Sequence, residues 1–498
     1  MGQYVRRTWW ELVREGAADR AGHRARHVRP GALARGGLDG RGGRGWSGTD
    51  GGVSHVGVAG RMGRDLEFIR SDAFAATCRT RPPDFTRRRK MPHDLLVESV
   101  VARKGRTLSL EVREFAREAH MAGPISVPGY LKARERLRPE ALLGLARHHA
   151  AGVYADGDYR TYRGMLLVAI DGSTANVPTN AETIARWGSS SGHGRDQATM
   201  GLSGAFDVVN RQMLDLAVRR GGFDERAEVP GHVEAVADAV GGLPFALVMD
   251  RGYPSFPLMA TLSDMGVPYV MRCQRNFMNA EFRACEAAGG DLRLDLELTN
   301  PRLRSVRRSD RDAWERLVGH APLRVRCALV DVGGEAPEKL VTTIGDDVLA
   351  TNELAEVYHM RWGVETCFQF TRDRLQMENF TGTRPRLIEQ DVYAAAYLAN
   401  VAFDLANEAE REASGDIAAR GYKHRMTVNR TVAIGVLKDE PVRIVLAEDA
   451  AVREAMMSDI VAELGRCLVP VRPARAYDRD GLESKRANRH GNTHKRAF

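Results

Sequence analysis

The chain has 498 residues, 43% hydrophobic and 28% charged, an ordinary globular balance in a length that implies two to four domains rather than one core. Its formal net charge of +8 favours a polyanionic partner without proving one; only 8 of the 73 basic residues are Lys, and a GC-rich genome accounts for the Arg excess. The chain lacks a run of 18 apolar residues, a signal-type apolar core at the N-terminus and any CxxC pair among its six scattered cysteines, which argues against a spanning helix, a secretory leader and a disulfide or zinc framework.

Residues 1–61 are rich in Gly and Arg with no sustained period, the composition of a disordered or non-native extension. Met62 or Met91 is the expected genuine start, in preference to a flexible basic arm. Residues 62–160 read as a helical region. Three helical patterns, 85–105, 109–120 and 126–155, are broken by Gly and Pro, and the second and third carry Arg and Lys on polar faces. A small DNA-binding module and a solvated bundle both fit them.

At Tyr162 the period changes. The run GMLLVAI reads as a buried strand ending at Asp171. LSGAFDVV and MLDLAVR, separated by Asn210, Arg211 and Gln212, form an expected antiparallel hairpin, followed by a helix in FDERAEVPGHVEAVADAV. PFALVM is a second buried strand, delivering Asp250 at its end. Either aspartate alone is what turns and caps commonly carry. From 268 to 344, PYVMRCQ, DLRLDLEL, LRVRCALVDV and EKLVTTI predict a β-rich block.

Leu354 to Thr381 then reads largely as one amphipathic helix. Val357, Met360, Val364, Cys367, Phe368 and Leu375 share its apolar flank, and Tyr358, Arg361, Glu365 and Arg372 fall on a neighbouring stripe. Taken alone, Arg361 and Glu365 fit a surface i,i+4 ion pair. A long apolar core helix follows over 386–409, with further helices to about Gly465 and a basic, Pro-broken tail.

Asp171, Asp250 and Glu365 thus come in order on strand, strand and helix. Carboxylates are hard oxygen ligands suited to Mg²⁺ or Mn²⁺, and two such ions can serve an in-line phosphoryl displacement. Competing motifs are weak: GSSSG at 188–192 and GRGWSG at 43–48 fit nucleophile-elbow and dinucleotide patterns only formally and read as flexible loop.

The stretch YHMRWGVETCFQFTR resembles the signature of the insertion sequence 4 family of DDE transposases, Tyr-x2-Arg-x3-Glu-x6-Lys. Tyr358, Arg361 and Glu365 match it, and Arg372 stands where the family has Lys. AIDGS at the first acid, MDRGYPS at the second and LVTTI before the signature also resemble the family, and FTRRRKM near the start and VPVRPAR near the end are weaker echoes, so the resemblance covers roughly residues 75 to 485. It implies an α/β, ribonuclease-H-like catalytic domain over 161–383 with a β-rich insertion at about 265–345. Helical regions over 62–160, binding DNA, and 384–498 flank that domain. It also implies that Asp171, Asp250 and Glu365 are the catalytic residues and the ligands of two Mg²⁺ or Mn²⁺ ions, and that Tyr358, Arg361 and Arg372 hold DNA phosphates. Arg in place of Lys keeps the charge but trades a point donor for a planar fork.

The implied protein is a bacterial, cytoplasmic, nucleoid-associated transposase acting as a homodimer on its element's terminal inverted repeats. Water would open the phosphodiester at the element's end, and the freed 3′-hydroxyl would attack the other strand or a target duplex. Some relatives stack a flipped base on an aromatic of the insertion; Glu338 and Lys339 stand there in this chain, with Trp314 as the alternative. A decayed or domesticated DNA-binding copy and a nuclease without strand transfer are the other readings.

Overall fold

The structure, a computed structural model, describes residues 46–48 and 56–471 apart from 88–89, 122, 193–194, 332–335, 374, 376, 440–443, 445 and 448. Most of the 1–61 extension and the tail from 472 onward lie outside the described residues. Trp46–Gly48 (β1) pairs antiparallel with Arg160–Tyr162 (β2), so part of the GRGWSG stretch is strand rather than loop.

The architecture is α/β, built on a mixed nine-stranded sheet. Leu166–Asn176 (β3), Arg195–Asp207 (β5) and Gln212–Arg220 (β6) form an antiparallel meander. The expected hairpin is the β5–β6 turn, with Arg211 at a φ of 58°. Phe245–Met249 (β7) and Tyr269–Arg272 (β8) continue the sheet parallel to β3, joined through the helices Val229–Ala239 and Phe256–Asp264. Ser189–Gly192 (β4) pairs with β5, so GSSSG is an edge strand and not a flexible loop; its serines alternate along a ladder instead of topping a turn.

The β-rich block extends this same sheet. Asp291–Leu296 (β9), Leu323–Val330 (β10) and Glu338–Thr342 (β11) are antiparallel, and β11 docks on β8. All four strands read from sequence are present. Three helices, Asn279–Ala287, Arg304–Ser309 and Arg311–Leu317, are interleaved with them.

The helices that precede and follow the sheet in sequence share one core with it. Val58–Arg70 (α1), His93–Val101 (α2), Leu108–Glu118 (α3), Val127–Arg134 (α4) and Pro139–Ala155 (α5) pack with Pro385–Glu412 (α10) in a single apolar cluster running from Val58 to Leu464. The expected helix over 126–155 divides at Arg138, because Pro139 can open a helix but not continue one. Cys78, Cys273, Cys285, Cys327 and Cys367 are buried free thiols and Cys467 is half-buried. Among the described residues no helix is long and apolar enough to cross a membrane.

The core begins before Met62. Arg61, 1% exposed, donates from Nε and Nη2 to both oxygens of Asp404 at 2.7 Å each, and reaches Asp158 at 2.9 Å. Beside it His149 Nδ1 meets Asp65 Oδ2 at 2.7 Å, and its Nε2 lies 3.5 Å from Asp404, an ion-pair separation without a hydrogen bond. His148 and Tyr397 also bond Asp65. Burial alone would lower the His149 pKa, but Asp65 and Asp404 outweigh it and raise it to about 9. A raised folded pKa gives stability that is complete below the ordinary histidine value of about 6.5 and lost as pH climbs through about 9. Urea unfolding should therefore show stability falling by roughly 3 kcal/mol across that window, and His149→Gln should flatten the slope.

Candidate active site

The β3–β7 ladder stops one residue short of both aspartates, at Ile170↔Met249. β3 itself does not end at Asp171. It runs on to Asn176 because β5 stays paired with it throughout, from Val168↔Asp207 to Asn176↔Thr199. Asp171 therefore sits mid-strand, just past the point where pairing with β7 ends, while Asp250 follows β7 in a turn whose Gly252 amide donates to Asp250 Oδ1 at 2.7 Å.

The predicted single helix is two. Thr351–Met360 (α8) and Trp362–Asp373 (α9) meet at Arg361, and none of the described residues between 375 and 384 is helical. At the junction the backbone bonds tighten to i,i−3: Arg361 N to Tyr358 O at 3.2 Å and Val364 N to Arg361 O at 3.1 Å. The predicted apolar flank is buried at Val357, Val364, Cys367 and Phe368. Gly204, opposite Asp171 on β5, lets α9 come close; a Cβ there would lie 2.9 Å from Phe368 Cζ.

That approach brings the stripe on α8 and α9 to β3. Arg361, 4% exposed, donates from Nη1 to Asp171 Oδ2 at 3.0 Å and from Nη2 to Glu365 Oε1 at 2.7 Å. The i,i+4 pair expected from sequence is present, but it is one arm of a bridge to the strand aspartate. Burial pushes the Asp171 carboxyl up to about 7; Asp250 and Glu365 add to the rise and Arg361 opposes it. The three acids are thus electrostatic neighbours.

Tyr358 is buried beside Arg361 and Arg272, whose guanidiniums offset the rise that burial imposes on its phenol. Arg272, on β8 and absent from the sequence-derived site, is held by Glu338 at 2.7 Å. Arg372 donates to Ser173 Oγ at 2.7 Å and Thr174 O at 3.1 Å, on the stretch of β3 beyond Asp171. The Nε atoms of Arg361 and Arg372 are buried without a hydrogen-bond partner, unmet donors of the kind an oxyanion satisfies.

Neither candidate base-stacking position of the β-rich block offers an open aromatic. Lys339 bonds Arg275 O and Asn279 and covers the Phe282 ring, and Trp314 is half-buried under Arg307. The exposed ring beside the acids is Trp362, 42% exposed, with Arg361 5.4 Å from its centroid.

Among the described residues, no group of three His, Cys, Asp or Glu side chains stands ready to hold a metal ion. Asp171 and Glu365 each face Arg361 instead, a guanidinium standing in for a cation between two carboxylates. The donor chemistry fits a hard divalent ion: three oxygen-ligand side chains, one with its pKa raised by burial and further by the other two.

Residues 162–401 match the family described as a transposase DDE domain. The DDE-domain match begins at β2, ends inside α10, and contains both aspartates and the glutamate. A comparison with curated proteins found no match. Among solved structures, a cryo-EM structure of a piggyBac transposase synaptic complex with hairpin DNA aligns with 86% of this chain and 89% of its own, at 11% identity and a TM-score of 0.42.

Proposed function

We propose that the chain is a DDE transposase that cuts and joins DNA at the ends of its own mobile element. The observation that carries this reading is the bridge from Arg361 to Asp171 and Glu365, with Asp250 an electrostatic neighbour of Asp171, inside the stretch that matches a DDE domain. The meander β3–β5–β6 continued by parallel β7 and β8, with an aspartate on the first strand and after the next parallel one, supports a ribonuclease-H-like fold for residues 161–383.

Asp171, Asp250 and Glu365 would hold Mg²⁺ or Mn²⁺, which lowers the pKa of an attacking water or hydroxyl and stabilises the leaving oxygen. The chain's own residues supply the rest. Tyr358, Arg361 and Arg372, on α8, α9 and their junction, position the phosphate to be cut. Arg361 exchanges its carboxylate partners for that phosphate, so the acids are freed where DNA is bound. Arg372 reaches the same strand from about three turns further along, near the end of α9, and extends the contact along the DNA backbone. Two copies acting on two ends would account for synapsis, and residues 62–160 would bind the terminal repeats.

The test is incubation with Mg²⁺ and a duplex carrying the element's terminal inverted repeats. Strand cleavage followed by transfer of the 3′-hydroxyl ends into a target duplex is the expected result. Cleavage without transfer would make the protein a nuclease, and repeat binding without cleavage would make it a decayed copy. Arg372→Ala should also reduce the slope of log affinity against log salt by about 1, as loss of one phosphate contact does. Arg372→Lys should keep that slope.

A further inference from the structure

A fourth carboxylate reaches the site from the other side of β3. After β6, Asp224 caps a single 3₁₀ turn, Glu225–Glu228, accepting from the Arg226 amide at 3.2 Å. Glu225 extends from this turn across Gly172, the residue that follows Asp171. A Cβ on Gly172 would fall 2.1 Å from both Cδ and Oε1 of Glu225. Gly172 lies in a paired strand opposite Ser203 and is not among the residues of positive φ. Its backbone therefore does not call for glycine; the space for Glu225 does.

The other oxygen, Oε2, accepts from the hydroxyl of Tyr253 at 3.0 Å. Tyr253 is 1% exposed and packed in the core on that face of the sheet. It lies three residues beyond Asp250, and its amide bonds back to the Asp250 carbonyl at 3.3 Å. One side chain thus touches the backbone beside the first aspartate and, through Tyr253, the turn that carries the second. This matters because the ladder between β3 and β7 ends at Ile170↔Met249, so no strand pairing fixes Asp171 against Asp250.

We propose that Glu225 is a positioning residue that sets the separation of Asp171 and Asp250, wedged over Gly172 and holding Tyr253. The inference rests on reading the three acids as a divalent-cation site. Burial raises the Glu225 carboxyl and Asp250 adds to the rise, which places its charge within reach of the same site. Supporting contacts of this kind around metal ligands are worth about 10- to 100-fold in metal affinity.

The experiment is titration of the full-length protein with Mn²⁺, free ion being read by electron paramagnetic resonance, in parallel with cleavage kinetics and thermal unfolding. Glu225→Ala and Gly172→Ala, which removes the space for the wedge, should each weaken Mn²⁺ binding about tenfold or more. Tyr253→Phe should weaken it in the same direction. Glu225→Gln keeps both the wedge and an acceptor for Tyr253 and should bind Mn²⁺ nearly as the wild type does, which also separates positioning from a failure to fold. Wild-type affinity in Glu225→Ala, beside a clear loss in Asp171→Asn, overturns the inference alone. Equal loss in Glu225→Gln and Glu225→Ala overturns it too, since charge would then be what counts. Mn²⁺ binding that is unchanged in Asp171→Asn removes the metal-site reading and this inference with it.

Discussion

Glu365→Gln and Asp171→Asn should each lower Mg²⁺-dependent strand cleavage by about three orders of magnitude, the scale of losing several kcal/mol of charge stabilisation at the reacting phosphate. Both changes keep shape and hydrogen-bonding capacity and remove one negative charge. Neither should unfold the protein. Glu365 is 41% exposed in its side chain, and Asp171 already resists ionisation, with its pKa near 7, so an amide there relieves a buried charge. Repeat binding should survive in both variants, because Tyr358, Arg361 and Arg372 remain. Arg361 loses one of its two carboxylate partners in either case and is freer to meet phosphate. The measurement is strand cleavage on the terminal repeats at saturating protein, with binding followed separately. Full cleavage by either variant would rule out a mechanism through these acids.

The strands were legible because continuous apolar runs have few alternatives: GMLLVAI, PFALVM and the four segments of the β-rich block all appear where their patterns put them. Pairing partners were not legible. DGSTAN has the composition of a turn, yet β5 holds it in the sheet to Asn176, a case of tertiary pairing overriding local preference. Ser189–Gly192 became a strand for the same reason. On the Leu354–Thr381 stretch, helical spacing put Tyr358, Arg361, Glu365 and Arg372 on one stripe, and the structure distributes them over two helices and their junction. The spacing could not show that Arg361 is drawn to Asp171, where the two helices meet. Glu225 gave no signal at all. Its position depends on the space over Gly172 and on Tyr253, and a glycine after a strand aspartate reads as a turn residue when its neighbour 53 positions on is unknown.

The arginines of the N-terminal helices make the sharpest test of composition against structure. On α4, Arg134 belongs by sequence to a basic polar face, but it is 0% exposed. Its Nε donates to Gln390 Oε1 at 2.8 Å, and its Nη2 donates to Asp391 Oδ1 at 2.8 Å and to the Leu387 carbonyl at 3.1 Å. Its Nη1 meets Thr381. Arg103, in the loop after α2, shares Asp391 at 2.9 Å, so two cations of the N-terminal region fasten α10 through one buried carboxylate. Arg134→Ala should therefore cost about 3–5 kcal/mol of unfolding free energy, the range for removing one partner of a buried ion pair, because the Gln390 and Leu387 oxygens lose this donor and Asp391, still held by Thr381, loses one of its two cations. Arg134→Lys should recover little, since one ammonium cannot reproduce a fork that serves four acceptors. Lys132, exposed two residues earlier, should tolerate alanine within about 0.5 kcal/mol. Urea denaturation of the three variants decides the matter. If Arg134→Ala keeps wild-type stability and instead flattens the salt dependence of DNA binding, Arg134 faces nucleic acid after all, and α4 is not bound to α10 in the way this network requires.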